Sequence, residues 1–215
     1  MIIDDVQYQV LRQRLVKQLR QKFAFDERVL TAIGKIPRQL FVDKGLEHLA
    51  YEDRPLPIAA QQTISQPYTV AMQSHLLEIK KWDKVLEIGT GCGYQAAVLA
   101  ELGATVYSIE RQKELFVQAK AILERLQYRV DLFYGDGYEG KSIFAPYKKI
   151  IVTCGAPSVP PQLLAQLDVG GRMVIPVGAG SQIMQVIDRI SETECRTTQH
   201  GNYSFVPMLG GVAAK

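Results

Sequence analysis

Val85-Leu-Glu-Ile-Gly-Thr-Gly-Cys-Gly93 decides the fold of this 215-residue chain. Val85 to Ile88 is a short apolar run with one acid, Glu87, which suits a strand buried in a parallel sheet. Gly89, Gly91 and Gly93 follow at alternate positions, with Thr90 between the first two. Tyr94 to Ala100 then reads as a helix. Strand, glycine loop and helix open a nucleotide-binding βαβ unit. The glycines let backbone approach a ligand without a Cβ clash, and the helix start aims N–H groups at it.

The spacing narrows the ligand. A dinucleotide fingerprint, G-x-G-x-x-G, needs glycine where Tyr94 stands. Here the pattern is G-x-G-x-G with Glu87 ahead of it. Phosphate asks for an amide-rich turn, whereas a cationic amino-acid ligand welcomes a nearby carboxylate. The segment resembles motif I of class I S-adenosylmethionine methyltransferases. On these residues alone a dinucleotide site and a structural glycine turn stay open.

The chain on either side is that of an ordinary domain, long enough for a sizeable core. A net charge of +3 is too mild to argue for nucleic acid. No apolar run approaches the roughly 20 residues of a membrane helix. Met1-Ile-Ile-Asp-Asp5 carries acids where a signal peptide carries positive charge, so a cytoplasmic protein is expected. Cys92, Cys154 and Cys195 are too scattered for a disulfide framework or a CxxC metal site.

Asp4-Asp5 can cap a helix running to about Lys22, whose basic residues read as a solvated face. Asp26-Glu27 opens a second helix that Gly34 and Pro37 break. Pro37 to Val42 suits one more helical turn, and Gly45 to Tyr51 a short helix or loop ended by Pro55 and Pro57. Pro67 suits the first position of a helix through Ile79. Ser65 and Gln66 then lie at its N-terminus, where free N–H groups make a seat for a carboxylate. The plainer alternative is that Ser65 is a helix cap.

Beyond the glycine loop, Ala104 to Ile109 is a second strand ending in Glu110. An acid there can accept from both ribose hydroxyls of a nucleoside, or simply start the helix from Arg111 to Leu126. A third strand, Val130 to Tyr134, leads to Gly135-Asp136-Gly137, and Asp136 can accept from an adenine amino group. Lys149 to Thr153 is a fourth strand, Pro160 to Leu167 a helix, and Asp168 to Arg172 a turn into a fifth strand, Met173 to Val177. Ile183 to Ile190 and Tyr203 to Val206 are strand-like. The alternation implies an α/β doubly wound, mostly parallel sheet with antiparallel C-terminal strands, in one domain over 1–215. Its parts are a helical preface (1–60), a cofactor-binding core (80–180) and the C-terminal strands (181–215).

Thr63-Ile-Ser-Gln-Pro-Tyr68, Val85 to Ala100, Gly135-Asp-Gly137, Val169-Gly-Gly-Arg-Met-Val-Ile-Pro-Val-Gly178 and Phe205-Val-Pro207 together resemble the protein-L-isoaspartate O-methyltransferase family. The order and spacing fit from about residue 10 to the C-terminus. The resemblance implies a Rossmann-like methyltransferase fold and S-adenosyl-L-methionine as cofactor. The implied substrates are L-isoaspartyl and, less well, D-aspartyl residues of age-damaged proteins. It implies Ser65 as the active-site serine, with Thr63, Ile64, Ser65, Val206 and Pro207 on the substrate. It places Glu87, Gly89, Thr90, Gly91, Gly93, Glu110, Asp136 and Gly137 on the cofactor. Cys92 stands where serine is frequent, and Thr153-Cys-Gly-Ala156 replaces a more alanine-rich run; both keep small side chains.

Methyl transfer to a carboxylate needs no general base, because the acceptor is ionised at neutral pH. That suits a chain whose three histidines, His48, His75 and His200, lie outside every motif. No metal, nucleic acid or membrane partner is expected, and a monomer is. A small-molecule O-methyltransferase would need a metal site or a base near the cofactor, and no such cluster is evident. A nucleic-acid amino methyltransferase would want an Asn/Asp-Pro-Pro-aromatic tetrad where Thr153 to Ala156 stand. A cofactor-binding module without turnover remains the non-enzymatic alternative, against which the intact Ser65 segment argues.

Overall fold

Asp5 starts the first helix of the computed structural model, which describes residues 5–213. Its carboxylate accepts from Gln7 N at 3.0 Å and caps α1 (Val6–Lys22). Asp4, the other expected cap, lies outside the described residues. Leu15, Val16 and Leu19 form the buried stripe of α1. Arg12 departs from the solvated-face expectation: it is buried and donates to Lys35 O at 2.7 Å. α2 (Glu27–Lys35) is capped by Asp26 and runs straight through Gly34 to an extended Ile36. Two 3-10 turns follow, Arg38–Phe41 and Lys44–Leu49.

The proline-rich stretch forms a hairpin where the sequence suggested only a break. β1 (Leu56–Ile58) pairs antiparallel with β2 (Gln62–Ile64), Leu56 opposite Ile64. Three-residue strands are too short to show alternation, and Pro57 is tolerated because a two-stranded sheet is all edge. α3 (Pro67–Leu77) begins on Pro67 as expected and ends before Ile79, at Glu78 with a left-handed φ of 50°.

The core then alternates: β3 (Lys84–Ile88), α4 (Tyr94–Glu101), β4 (Thr105–Glu110), α5 (Lys113–Arg125), β5 (Val130–Tyr134), β6 (Tyr147–Val152), α6 (Pro161–Gln166), β7 (Leu167–Val177), β8 (Gln182–Arg189) and β9 (Cys195–Tyr203). The strands form one sheet in the order β5-β4-β3-β6-β7-β8-β9. β3 to β7 pair in parallel, and β8 and β9 run antiparallel to their neighbours. This is the doubly wound, mostly parallel sheet with antiparallel C-terminal strands that the pattern predicts.

Side chains alternate across the strands, so each strand feeds two cores. Val85, Val106, Ile151 and Val174 face the layer built from α1 to α4. Leu86, Ile88, Ile109, Ile150 and Met173 face the layer with Leu163 of α6 and Met208. Two strands differ from expectation. β7 already begins at Leu167, opposite Tyr147, and the pairing resumes with Arg172 opposite Lys149. The turn expected over Asp168 to Arg172 is thus an excursion inside one strand, with Gly170 at φ 72° and Arg172 already paired. β9 starts at Cys195 and ends at Tyr203, where the expected run begins. It is an edge strand exposed along nearly its whole length, so no apolar alternation marks it.

Neighbouring strands depart from β3 in opposite directions, β4 on one side and β6 on the other. A crevice opens outside the carboxyl ends of an open sheet at such a switch point. The glycine loop follows β3 at that place.

Candidate active site

Side chains of β3, of β4 and of the residue after β6 hold the glycine loop. Glu110, the last residue of β4, accepts from Gly91 N at 2.8 Å with one oxygen and from Gln112 N at 2.8 Å with the other. Thr153, just past β6, donates to the carbonyls of Ile88 and Gly89 at 2.9 and 2.6 Å. Thr90 joins Ser108 Oγ at 2.6 Å, and Ser108 joins Glu87. Gly89 has a φ of 94°, and a Cβ there would lie 2.6 Å from Thr153 Oγ1. Only glycine fits both the backbone and the space.

The loop floors a cleft of about 930 Å³, counting its open mouth. That is the size of a pocket for a nucleoside-sized ligand. Gly89, Thr90, Gly91, Glu110 and Gly137 line it, as do Thr63, Ile64, Ser65, Val206 and Pro207. A Cβ on Gly137 would lie 2.5 Å from Ile88 Cγ2, so the backbone there packs close under the cleft. The chain after β9 forms the far wall: Gly155 N donates to Val206 O and Met208 N to Gly155 O, both at 2.8 Å.

Three expected cofactor residues do not line the cleft. Gly93 packs beneath it, where a Cβ would lie 3.1 Å from Leu123 Cδ1. Asp136 accepts from Tyr138 N at 2.8 Å and from Gly211 N, tying the C-terminal segment to the end of β5. Glu87 is 0% exposed, on the helix side of β3, with Oε1 unpartnered. It supports the loop from below, so the sequence-based picture of a carboxylate facing a cationic ligand does not match its position. Burial pushes its pKa up to about 8, against the Ser108 hydrogen bond and with help from Glu110.

This shift fixes a pH dependence. Folding favours protonated Glu87, so its stabilising contribution is complete below the unfolded value, 4.5, and is lost as pH rises to about 8. Glu87→Gln removes that loss. The variant's stability advantage, measured by urea unfolding, should grow by a few kcal/mol between pH 4.5 and 8.5. Parallel curves for the two proteins would mean that the carboxylate is ionised in the folded state.

Other lining residues gave no signal in the sequence. Burial pushes the Cys92 thiol up to about 11 and Cys154 to about 12, so both are neutral walls rather than nucleophiles. Arg111 lines the cleft beside Glu110 and donates to Gly211 O at 3.1 Å, a second tie on the C-terminal segment. Arg111→Ala removes the side-chain tie and leaves the one to Asp136, so cofactor dissociation measured by stopped-flow should quicken by no more than about tenfold.

A second, open groove adjoins the cleft. Thr63, Ser65, Thr153 and Val206 belong to both. Tyr68, Met72, Tyr203 and Phe205 extend the groove, together with His200, which lies on β9. His75 is structural, its Nδ1 accepting from Asp26 N at 3.1 Å. Ser65 does not cap α3. Asp53 meets that helix start instead, accepting from Tyr68 N at 2.8 Å and pairing with Lys22. The N-terminus of α3 is therefore not the open carboxylate seat that Pro67 suggested, and Ser65 keeps its hydroxyl for another partner.

A glycine-floored cleft at the switch point, with an acid at the second strand end, defines a class I methyltransferase architecture. Within that class, the profile of the protein-L-isoaspartate(D-aspartate) O-methyltransferase family matches residues 10–213. A protein-L-isoaspartate O-methyltransferase of Christiangramia forsetii is 58% identical over 96% of this chain and 97% of its own. One of Cytophaga hutchinsonii is 47% identical over 96% and 94%. A solved structure titled protein-L-isoaspartate O-methyltransferase superposes with a TM-score of 0.85 at 30% identity, covering 93% of this chain and 66% of that one. The chain belongs to the protein-L-isoaspartate(D-aspartate) O-methyltransferase family.

Proposed function

We propose that the cleft holds S-adenosyl-L-methionine and that the adjoining groove presents the free carboxyl of an L-isoaspartyl residue to it across Ser65. One observation carries this reading: Ser65, Thr63 and Val206 stand on the wall common to both cavities. The activity is S-adenosylmethionine-dependent methyl transfer to isoaspartyl carboxyls, in keeping with the family.

The residues present fit the cofactor. A Cβ at Gly89 would strike Thr153 and one at Gly137 would strike Ile88, so only glycine lets the backbone itself wall the cleft at these two points. Glu110 offers a carboxylate to ribose hydroxyls, and Gly89 to Gly91 and Gly137 offer backbone. Asp136 serves from behind by fixing the turn and the C-terminal segment, and Gly93 by letting α4 pack on α5. When bound, the cofactor supplies an electrophilic methyl group on a sulfonium that leaves as a neutral thioether.

The protein's part is orientation. An isoaspartyl carboxyl is ionised at neutral pH, so nothing need remove a proton. The shared wall agrees: Thr63, Ser65, Thr153 and Val206 contain no titratable group. The Ser65 hydroxyl donates to one carboxylate oxygen and leaves the other free to attack. Thr63, Ile64, Val206 and Pro207 flank the acceptor and exclude water, which strengthens that hydrogen bond. The ester product closes to a succinimide without further help from the enzyme, and reopening of the ring returns some normal aspartate. D-Aspartyl side chains, with a similarly placed carboxyl, are poorer acceptors at the same site. We assign the protein to the cytoplasm as a monomer; no helix among the described residues is long and apolar enough to cross a membrane.

The test is methyl transfer from labelled S-adenosylmethionine to two peptides that differ only in L-isoaspartate or L-aspartate at one position. Labelling of the first alone is expected. Labelling of neither, with cofactor binding intact, would sink the reading in favour of another acceptor or a binding module without turnover.

A further inference from the structure

Arg38, in the 3-10 turn before the hairpin, is 0% exposed. Its Nε donates to Ala50 O and one Nη to Ser65 O, both at 2.8 Å. Its guanidinium lies over the Tyr94 ring, Cζ 4.7 Å from the centroid. Tyr94 is the first residue of α4, itself buried and part of the cofactor cleft. Phe41, from the same turn, meets the Tyr94 ring edge-on with centroids 5.4 Å apart. One side chain thus joins the backbone of Ser65 to the helix that follows the glycine loop.

Stability alone is a poor reason for this arrangement. Burial lowers the pKa of Arg38, and the groups that offset this are the Tyr94, Cys92 and Tyr51 side chains, with no carboxylate among them. Its second Nη has no hydrogen-bond partner. A buried cation without a counter-ion is costly, and an apolar side chain of similar length would fill the space more cheaply. What arginine supplies and methionine cannot is a planar fork that fixes two carbonyls and stacks on a ring at once.

We infer that Arg38 is a positioning residue. It sets where the Ser65 hydroxyl stands relative to the cofactor helix, and so the line along which the carboxylate attacks. The inference rests on Ser65 being the acceptor's holder. Displacement of a reacting group by about 1 Å can cost roughly 10²-fold in rate, while binding on either side is hardly altered.

The experiment is a double-mutant cycle of Arg38→Met with Ser65→Ala, with Arg38→Lys alongside. Rates are expressed per cofactor site, titrated by calorimetry with S-adenosylhomocysteine. Arg38→Met should lower kcat per site about 10²-fold, with peptide KM and cofactor affinity within about threefold of wild type. Arg38→Lys, with one compact donor for two carbonyls, should lose about tenfold. In the Ser65→Ala background Arg38→Met should cost little more, because its effect passes through the serine. Amide exchange of residues 62–66 should quicken in cofactor-free Arg38→Met and recover partly in Arg38→Lys. A lower melting temperature with kcat per site unchanged would overturn the inference, as would full additivity of the two substitutions. Should Arg38→Met fail to fold, Arg38→Lys in the same cycle decides on the same criteria. Ser65→Ala at the wild-type rate would overturn the reading beneath as well, which sets that failure apart from failure of Arg38 alone.

Discussion

Ser65→Ala is expected to lower kcat about 10²-fold while cofactor affinity stays within about threefold. The hydroxyl is the only group that this change removes. It does not cap α3, a task that falls to Asp53, so its loss should leave the helix intact. The Ser65 carbonyl remains held by Arg38, so the backbone should keep its course. On the proposed reading, what disappears is the one hydroxyl offered to the substrate carboxylate. Removing a single such donor from a comparable site costs about 2.7–4 kcal/mol. The fall should appear in kcat rather than in peptide KM, because the groove and not the hydroxyl supplies most of the peptide contact. Below saturation the rate should be flat from about pH 6 to 8, since the acceptor ionises near 4. Parallel loss of cofactor affinity would recast Ser65 as a cofactor ligand, and an unchanged kcat would remove it from the reaction.

The parts of this site legible in the sequence share one property: glycine spacing or an acid at a strand end announces them locally. The loop at Gly89, Gly91 and Gly93 and the acid at Glu110 are of that kind; the β and α alternation announces the parallel sheet, whereas the strand order that creates the crevice lies only in the pairing. The parts that were not legible depend on residues distant in sequence. Arg38 looks like a surface arginine until Ser65 and Tyr94, both remote along the chain, close over it. Asp53 looks like a loop acid until α3 begins above it. Thr153 carries no signal of its own, yet it locks the two carbonyls that shape the loop. β9 escapes notice for the opposite reason: a solvated edge strand needs no apolar face, so its strand character lies only in backbone pairing to β8.

Glu87 and Glu110 show how far composition can mislead. Both are acids at or near a strand end and both are buried, at 0% and 5% exposure. Only Glu110 reaches the cleft. A strand's side chains alternate between faces. Glu87 pairs with Ser108, two residues before Glu110, so the two acids share a sheet face. What separates them is depth, Glu87 lying inside its strand against the Ser108 hydroxyl and Glu110 at its strand's carboxyl end against the glycine loop.

Glu110→Ala is the second change expected to have a large effect, about 10²-fold in cofactor affinity by calorimetry. Two contributions add. On the proposed reading the carboxylate receives ribose hydroxyls, and hydrogen bonds to a charged group are worth about 1.5–3 kcal/mol. It also accepts from Gly91 N and Gln112 N, so its loss unties the glycine loop before any ligand arrives. Glu110→Gln separates the two. The amide keeps the shape and one acceptor, but it turns an NH₂ towards one of the two backbone donors and carries no charge. Affinity should fall about tenfold, between wild type and Glu110→Ala. Acid should tell the same story. Burial raises the pKa of Glu110, against the Gln112 and Gly91 amides that lower it. Cofactor affinity of the wild type should therefore weaken as pH falls, starting above the ordinary carboxylate value of about 4.3. In Glu110→Gln that component of the pH dependence should vanish. If Glu110→Gln bound as tightly as wild type at pH 7, ribose would not be read through the charge. If Glu110→Ala lost affinity only in step with its melting temperature, Glu110 would be a brace for the loop and the ribose contact would belong to backbone.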